Sequence, residues 1–558
     1  MYILCTALLA LWTAHAVVSQ SQQHAWWKEA VIYQVYLASF KESRKENAIG
    51  YGDLDGIIDK LDHIKDLGAD IVWVSPFYHS PLKDMGYDIS NCDSVDPTFG
   101  GQLGDAIRLI REVHKRGMRC IHDLVINHSS NRHPWFLQSA ESKTNEYRDW
   151  YFWRPPQYKN GSRYPPNNWA GNNNGSAWKY DPKTEEYYLN LFNPFQPDFN
   201  WENPDTRQAI FHDALEYWFN QGVDGFRMDA FTFYSKPHGL SDVPNCPDGE
   251  FCDASSLYLN GPREHEYLQQ MNRAVLSHYM PMFTVGEYGP TYDMDIIQKC
   301  VGASRNEINT VFITNMCDIG RDGFNPVPWT LTGKGGWRDA INFTQAVGSV
   351  AAGDGSISRF ANDSPKFRVQ SGKALAMMLS TLSGTLSLYQ GQEIGMVNVP
   401  DSWPISDYRD TYSTVYYDEA LVAGGSSVGA LKNLSLLARD NARPPFNWNA
   451  KEEINLADQV EDPDSVYRFW KPMLRVRKAY KDLFVYGGFE FLSLEGEKFL
   501  IYEKAAGKAK ALVYINLSER TGEPPVPVPK EGEILFQTHV DRSSSTFEPF
   551  EGRIYLMQ

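Results

Sequence analysis

Carboxylates and basic side chains follow three predicted strands at the points where those strands end. Residues 123–128 read Asp-Leu-Val-Ile-Asn-His, residues 225–230 read Gly-Phe-Arg-Met-Asp-Ala, and Gly286-Glu287 ends a third strand. A single acidic residue after a strand is most often a turn or a helix cap. Acid groups at three strand ends, accompanied by an Arg and a His, instead predict one shared site of acid–base chemistry.

Two carboxylates at one site can hydrolyse a glycosidic bond. In a retaining glycosidase they lie ~5 Å apart, and one attacks the sugar while the other serves as acid and then base. We predict Asp229 as the nucleophile and Glu287 as the acid/base. Arg227 precedes Asp229 by two residues and therefore lies on the same strand face, where it would hold that carboxylate ionised and oriented.

The elements that must position these residues alternate between short apolar runs and amphipathic helices. This alternation predicts an α/β fold with a parallel sheet, and eight such units close into a TIM (β/α)8 barrel whose active residues lie at the carboxyl ends of the strands. Strands are predicted at residues 30–37, 70–75, 118–125, 223–228, 281–286, 309–314 and 385–389, and helices at 53–67, 102–115, 205–221, 371–382 and 464–480.

Two regions depart from this alternation. Residues 128–201 are rich in Asn, Pro, Gly, Trp and Tyr, and they are too many for an ordinary loop, which predicts an inserted subdomain after the third strand. Residues 485–558 contain short alternating strands separated by Gly and Pro, which predicts a C-terminal antiparallel β-sandwich. The catalytic barrel is then expected to occupy residues 25–127 and 202–484.

Composition and the first residues limit the possible roles of the chain. Its 558 residues carry a formal net charge of -16, which argues against nucleic acid as a partner because phosphate binding needs a basic surface. Residues 1–19 resemble a secretory signal peptide. The apolar run at 2–12 is shorter than the ~20 residues of a membrane span. We therefore predict a secreted, extracellular protein without a membrane span.

The motifs together resemble the maltase and oligo-1,6-glucosidase branch of glycoside hydrolase family 13, the α-amylase family. The resemblance runs from about Trp26 to the C-terminus, and it includes GYD at 86–88, QPDFNW at 196–201, YQGQEIGM at 389–396 and RDNARPP at 439–445. It implies a retaining, exo-acting α-glucosidase that removes terminal glucose from short α-glucosides such as maltose or sucrose. A small oligosaccharide or disaccharide is thus the expected partner.

The same resemblance implies roles for the residues around the sugar. Tyr87 would stack on the ring of the non-reducing glucose, and Asp88 would hold its hydroxyls. His128 and Arg227 would bind the same sugar, and Arg439 would help to close the pocket. A pocket closed at one end would explain the release of one glucose at a time.

The sequence predicts disulfide bonds but no metal ion and no cofactor. Cys246 and Cys252 are close enough to close one loop, whereas no CxxC pair or His-rich spacing indicates zinc. Many relatives bind calcium in an Asp/Asn-rich loop, but the corresponding residues 41–53 offer few oxygen ligands. Asn-x-Ser/Thr sites suited to glycosylation of a secreted chain occur at Asn160, Asn174, Asn342, Asn362, Asn433 and Asn516.

One departure from the family concerns the seventh strand. The family has an Asn-His-Asp triplet at the end of that strand, just before a Ser-Arg-aromatic segment that corresponds here to residues 358–360. Residues 348–356 contain no His and no apolar strand, so that about ten residues are absent and the seventh barrel strand is predicted to be missing. Three explanations stay open: a mis-spliced gene, a pseudoenzyme that binds a carbohydrate or a protein, or replacement of the lost carboxylate by Asp354.

Overall fold

A curled parallel sheet of eight strands forms the centre of the molecule in the computed structural model. The structure describes residues 24–44, 51–171, 175–289, 291–322, 325–327, 336–347, 351–352, 357–493, 498–539 and 544–557. The predicted α/β class and barrel are thereby confirmed. The strands are β1 (Val31–Val35), β2 (Ile71–Val74), β3 (Arg119–Leu124), β4 (Gly225–Met228), β5 (Phe283–Tyr288), β6 (Thr310–Ile313), β7 (Ala351–Ala352) and β8 (Leu386–Tyr389). Their hydrogen-bonded order is β6-β5-β4-β3-β2-β1-β8-β7, which is chain order around a barrel.

Helices cover the outside of this sheet. They are α1 (Leu54–Leu67), α2 (Leu103–Lys115), α3 (Pro204–Ile210), α4 (Glu264–Ala274), α5 (Met294–Val301), α6 (Trp337–Val347), α7 (Arg368–Thr381) and α8 (Val466–Ala479). A π-helical stretch (Phe211–Glu216) and a short helix (Tyr217–Asn220) continue α3, so that the three segments together correspond to the single helix predicted at 205–221.

Local sequence explains where these helices begin and end, as α1 illustrates. The Asp53 side chain accepts a hydrogen bond from the Gly56 N–H and caps the first turn. Ile57, Leu61 and Ile64 recur at three- and four-residue spacing and are fully buried against the sheet. Gly68 then adopts φ +116°, a left-handed conformation that ends the helix at little cost for glycine.

The seventh position of the barrel is filled by a strand of only two residues. Ala351 pairs with Leu386 and Ala352 pairs with Ser387 on β8. Within the described residues no backbone ladder connects β7 to β6. A typical strand has five to six residues, so β7 is unusually short, and among the described residues it pairs with β8 alone. Asp354, proposed above as a substitute carboxylate, lies outside the described residues.

The inserted and C-terminal regions contain antiparallel sheets. In the insertion, Glu186–Leu189 pairs with both Trp153–Arg154 and Trp178–Asp181. The C-terminal strands are β9 (Gly488–Phe491), β10 (Phe499–Ala506), β11 (Ala509–Asn516), β12 (Glu533–Gln537) and β13 (Gly552–Met557), in the order β9-β10-β11-β13-β12. The described strands form one sheet, and α7 of the barrel packs against it through β11 and β13 in the place where a second sheet was expected.

Lys504 is a buried cation where the C-terminal sheet meets the barrel. Its Nζ contacts the Ser383 hydroxyl and donates to the Gly487 carbonyl at 2.9 Å. Burial lowers the pKa of Lys504 to about 7, whereas an unfolded lysine titrates near ~10.4. Because the unfolded chain binds this proton more readily than the folded chain, the free energy of unfolding decreases as the pH falls from about 10.4 to about 7. Below that range both states are protonated, and this group causes no further decrease.

We expect Lys504→Met to raise the thermal unfolding temperature at pH 6. This gain should disappear by pH ~10, where the lysine of the folded parent is neutral, like the methionine that replaces it. The electrostatic part is of the order of 4 kcal/mol at most, and the two acceptors that lose a donor reduce it. Circular dichroism melts across this pH range provide the measurement. Lys510→Met, at an exposed position on β11, is the control, and an equal effect at both ends of the range would contradict the assignment.

Candidate active site

The strand register brings the predicted catalytic residues to one edge of the sheet. Arg227 on β4 lies directly beside Asp123 on β3. The ladder between β4 and β5 stays in register up to its last pair. The residues that follow that pair, Asp229 and Glu287, therefore lie side by side at the carboxyl end of the sheet.

One guanidinium joins three carboxylates at this edge. Arg227 Nη1 donates to Asp123 Oδ1 at 2.7 Å and to Asp229 Oδ1 at 2.5 Å. Arg227 Nη2 lies 2.8 Å from Glu287 Oε2. Asp229 and Glu287 thus contact neighbouring nitrogens of one planar group, which keeps the two carboxylates close together, as hydrolysis by a carboxylate pair requires.

The charges in this cluster do not balance, and this affects protonation. Burial, together with the nearby charges of Glu287 and Asp123, raises the pKa of Asp229 to about 8 against the lowering effect of Arg227. Burial likewise raises the pKa of Asp123. The excess of negative charge and the burial around this single cation therefore favour the protonated forms of Asp229 and Asp123.

Asp123 orients the cluster, and the sequence reasoning gave it no role of its own. Its Oδ2 accepts hydrogen bonds from Trp73 Nε1 at 3.0 Å and from the Tyr87 hydroxyl at 3.4 Å, while Oδ1 accepts from Arg227. Asp123 thus holds the guanidinium of Arg227 in place and connects it to Tyr87, the residue proposed to stack on the sugar ring. The sequence contained one indication of this role. Asp123 lies at the end of the third strand, and parallel pairing places it beside Arg227 of the fourth strand.

His128 lies beside Tyr87 at the edge of the same site. Its Nε2 is 3.1 Å from the Tyr87 carbonyl oxygen and 3.2 Å from Gln196 Nε2. Burial lowers the pKa of His128, so that the ring is neutral near pH 7. Gln196 belongs to the QPDFNW segment, and the structure thereby brings this segment against the predicted sugar-binding residues.

A buried ion pair connects two of the sequence motifs. Lys236 Nζ lies 2.8 Å from Asp198 Oδ1 and 3.0 Å from Asn127 Oδ1, and all three residues are buried. The contact fixes the 196–201 segment against the end of β3. The sequence reasoning did not find Lys236, because its partners lie 38 and 109 positions away and no spacing rule connects them.

Asp88 and Arg439 contact the loops around the site. The buried Asp88 carboxylate accepts hydrogen bonds from the Ser80 hydroxyl at 2.9 Å and from the Asp84 N–H at 3.1 Å. Arg439 forms two contacts of 2.5 and 2.9 Å with Asp410. Asp84, which also accepts a hydrogen bond from Gln196, is near enough to Arg439 to act on it electrostatically. The roles of Asp88 and Arg439 in sugar binding stay predictions.

Comparison with known proteins places this geometry among carbohydrate enzymes. The family profile described as "Alpha amylase, catalytic domain" matches residues 34–487. An α-glucosidase of Candida albicans is 41% identical over 578 residues, which cover 96% of this chain and 100% of the relative. An oligo-1,6-glucosidase of Saccharomyces cerevisiae is 41% identical over 585 residues, which cover 96% of this chain and 98% of the relative.

Solved structures share the fold over the same length. The isomaltulose synthase of Klebsiella sp. LX3 superposes with a TM-score of 0.87 at 32% identity, covering 96% of this chain and 100% of the other. The trehalose-6-phosphate hydrolase of Bacillus licheniformis superposes with a TM-score of 0.85 at 31% identity and the same coverage. The similarity thus extends over the barrel, the insertion and the C-terminal sheet.

Proposed function

The chain belongs to the α-amylase family, and we propose that it works as a retaining, exo-acting α-glucosidase on short α-glucosides. The attachment of Asp229 and Glu287 to the single guanidinium of Arg227 carries the proposal. Relatives named α-glucosidase and oligo-1,6-glucosidase, which align with nearly the whole chain, support it. Maltose and sucrose are the proposed substrates.

The side chain of the proposed acid/base is more exposed than that of the proposed nucleophile, as the two roles require. The Asp229 side chain is 11% exposed, whereas the Glu287 side chain is 40% exposed. Glu287 is therefore accessible to the leaving group and the incoming water, while Asp229 is buried beside Arg227. We assign Glu287 as the acid/base and Asp229 as the nucleophile for this reason.

The reaction then proceeds in two displacements. Asp229 attacks the anomeric carbon while Glu287 protonates the glycosidic oxygen, which breaks that bond and releases the rest of the substrate. The ionised Glu287 next takes a proton from water, and the water oxygen displaces Asp229 from the anomeric carbon. Each displacement inverts the configuration, so that the released glucose has the α configuration of the substrate.

The anomer that appears first in maltose hydrolysis tests this function. Proton NMR during the first minutes is expected to show α-glucose, which later mutarotates, and starch solutions are expected to release glucose without an early loss of viscosity. Initial β-glucose would contradict the retaining mechanism, and an early fall in viscosity would contradict exo-attack. A folded, monodisperse chain without turnover would instead favour the catalytically impaired carbohydrate or protein binder, consistent with its lack of the Asn-His-Asp triplet.

We also propose that the protein is exported to the extracellular space. The leader-like residues 1–19 support this, and so does the Cys246–Cys252 disulfide bond, which the spacing had predicted. In the described part of the chain, no helix combines the length and apolar character needed to cross a bilayer.

Glycosylation provides a measurable consequence of export. Asn160 is exposed, whereas Asn516 is fully buried and donates to the Arg520 and Glu548 carbonyls. We expect a eukaryotic host to secrete the chain with glycans that peptide-N-glycosidase removes. Asn160→Gln should lower the glycan mass, and Asn516→Gln should not. Retention of the unmodified chain inside the cells would contradict export.

A further inference from the structure

Four side chains capable of binding a metal lie between α4, α5 and the segment that leads into β6, outside the active site. Glu264 and His265 begin α4, Cys300 lies in the last turn of α5, and Glu307 precedes β6. One ligand atom each of His265, Cys300 and Glu307 lies within 4.8 Å of the other two. The sequence reasoning missed this group because its members are far apart in the chain and form no motif.

Glu264 provides a second observation that points to a ligand. Its side chain is 1% exposed, and neither of its carboxylate oxygens has a hydrogen-bond partner. It is close enough to Cys300 and Glu307 for electrostatic interaction with both. Burying a carboxyl group without partners costs free energy, and a cation bound at this position would remove that cost.

We propose that Glu264, His265, Cys300 and Glu307 together bind one zinc ion. Imidazole nitrogen, thiolate sulfur and carboxylate oxygen are all zinc ligands, and four of them in a tetrahedron form a closed structural site. Zinc bond lengths place such ligand atoms about 3.3–3.8 Å apart, and the ligand atoms of His265, Cys300 and Glu307 already lie within 4.8 Å of one another. The 2.8 Å contact between His265 and Glu307 lengthens slightly when the ion enters, and the Glu264 carboxylate turns towards it. The sulfur and nitrogen ligands disfavour calcium and magnesium, which prefer oxygen.

The present contacts show how zinc enters this group. His265 Nδ1 lies 2.8 Å from Glu307 Oε2, and the ion replaces the proton between these atoms, which moves to Nε2 of the ring. Cys300 and a protonated Glu264 each release one proton to solvent. Glu307 Oε1 keeps its hydrogen bonds from Gln269 at 3.0 Å and from Arg305 at 2.9 Å, which orient the carboxylate around the metal.

The position of the site indicates a structural role. The ion would join α4, α5 and the segment before β6, and β6 is the terminal strand of the described sheet order. The short β7 gives β6 no described backbone partner on that side. A metal bound there would fix the helices behind β6 where the backbone ladder ends. The main expected effect of zinc is therefore an increase in the stability of the fold.

Metal content and cobalt spectroscopy on the full chain test the proposal. After removal of metal, zinc addition and dialysis, we expect one zinc per chain and a thermal unfolding temperature several degrees higher. Cobalt-loaded protein should show thiolate-to-cobalt charge transfer in the near ultraviolet. Cys300→Ser is expected to lose both the bound zinc and this absorption. Cys92→Ser, at another free and partly buried cysteine, should keep both.

Glu264→Leu separates metal binding from ordinary packing. If the site binds zinc, this variant should bind it at least about tenfold more weakly and lose the zinc-dependent stabilisation, although without metal it should unfold at a higher temperature than the parent. It also serves as the folded comparison if Cys300→Ser does not fold. Absence of stoichiometric zinc in the parent, or equal zinc uptake by the parent and both variants, would overturn the proposal.

Discussion

Asp229→Asn is expected to lower the turnover of p-nitrophenyl α-D-glucoside by about 10⁴-fold or more. The amide keeps the shape of the side chain but cannot attack the anomeric carbon, so the covalent intermediate does not form. The contact with Arg227, 2.5 Å in the parent, loses its charge. Binding of the substrate should change far less than kcat, because the neighbouring groups stay in place. Steady-state kinetics on the purified parent and variant provide the comparison.

Two further variants make this result specific. Asp93→Asn removes an exposed carboxylate and is expected to leave turnover within about twofold of the parent, in line with the small effect of surface changes. Asp229→Gly with added azide should regain turnover and yield the β-glucosyl azide, since the small anion attacks where the carboxylate did. Full activity in Asp229→Asn would move the nucleophile elsewhere and remove the basis of the proposed mechanism.

Arg227→Met is expected to destabilise the fold by about 3–5 kcal/mol and to abolish turnover, because it leaves buried carboxylates without their cation. Arg227 contacts Asp123, Asp229 and Glu287 at distances of 2.8 Å or less. Arg227→Lys keeps the charge but not the planar fork that makes these contacts, so only partial recovery is expected. Thermal melts and the same kinetic assay measure both effects.

The loss in Arg227→Met should grow with pH, and the sign follows from the direction of the pKa shifts. Burial already raises the pKa of Asp123 and Asp229, and removal of the cation raises both further. A carboxyl whose folded pKa exceeds its unfolded value of ~3.9 favours folding fully only below that value, and the contribution is lost as the pH rises through the folded pKa. The variant should therefore melt at a lower temperature at pH 7.5 than at pH 5.

A matched surface change provides the control for this series. Arg263 forms an exposed pair with Glu266, and Arg263→Met is expected to change stability by less than about 1 kcal/mol at either pH. A similar loss in the two Met variants would mean that the cluster at the end of the strands stores no special electrostatic energy. A melting temperature of Arg227→Met that does not depend on pH would have the same meaning.

The sequence was most informative where neighbours along the chain decide the structure. Apolar periodicity placed β1, α1 and β3 to within a few residues, because burial of one face follows directly from spacing. Asp53 and Gly68, which bound α1, act through their own backbone and the next turn. The motifs at strand ends likewise located Asp229 and Glu287, since parallel strands must bring their carboxyl ends to one edge.

Contacts between distant parts of the chain were decided by the tertiary structure alone. Neither the Lys236–Asp198 pair nor the group around Cys300 has a local pattern, because both depend on how insertion, helices and loops pack. The same holds for the C-terminal region, whose described strands form one sheet that packs one of its two apolar faces against α7. Alternating hydrophobicity shows that a strand has a buried face, but only the three-dimensional packing determines what buries it.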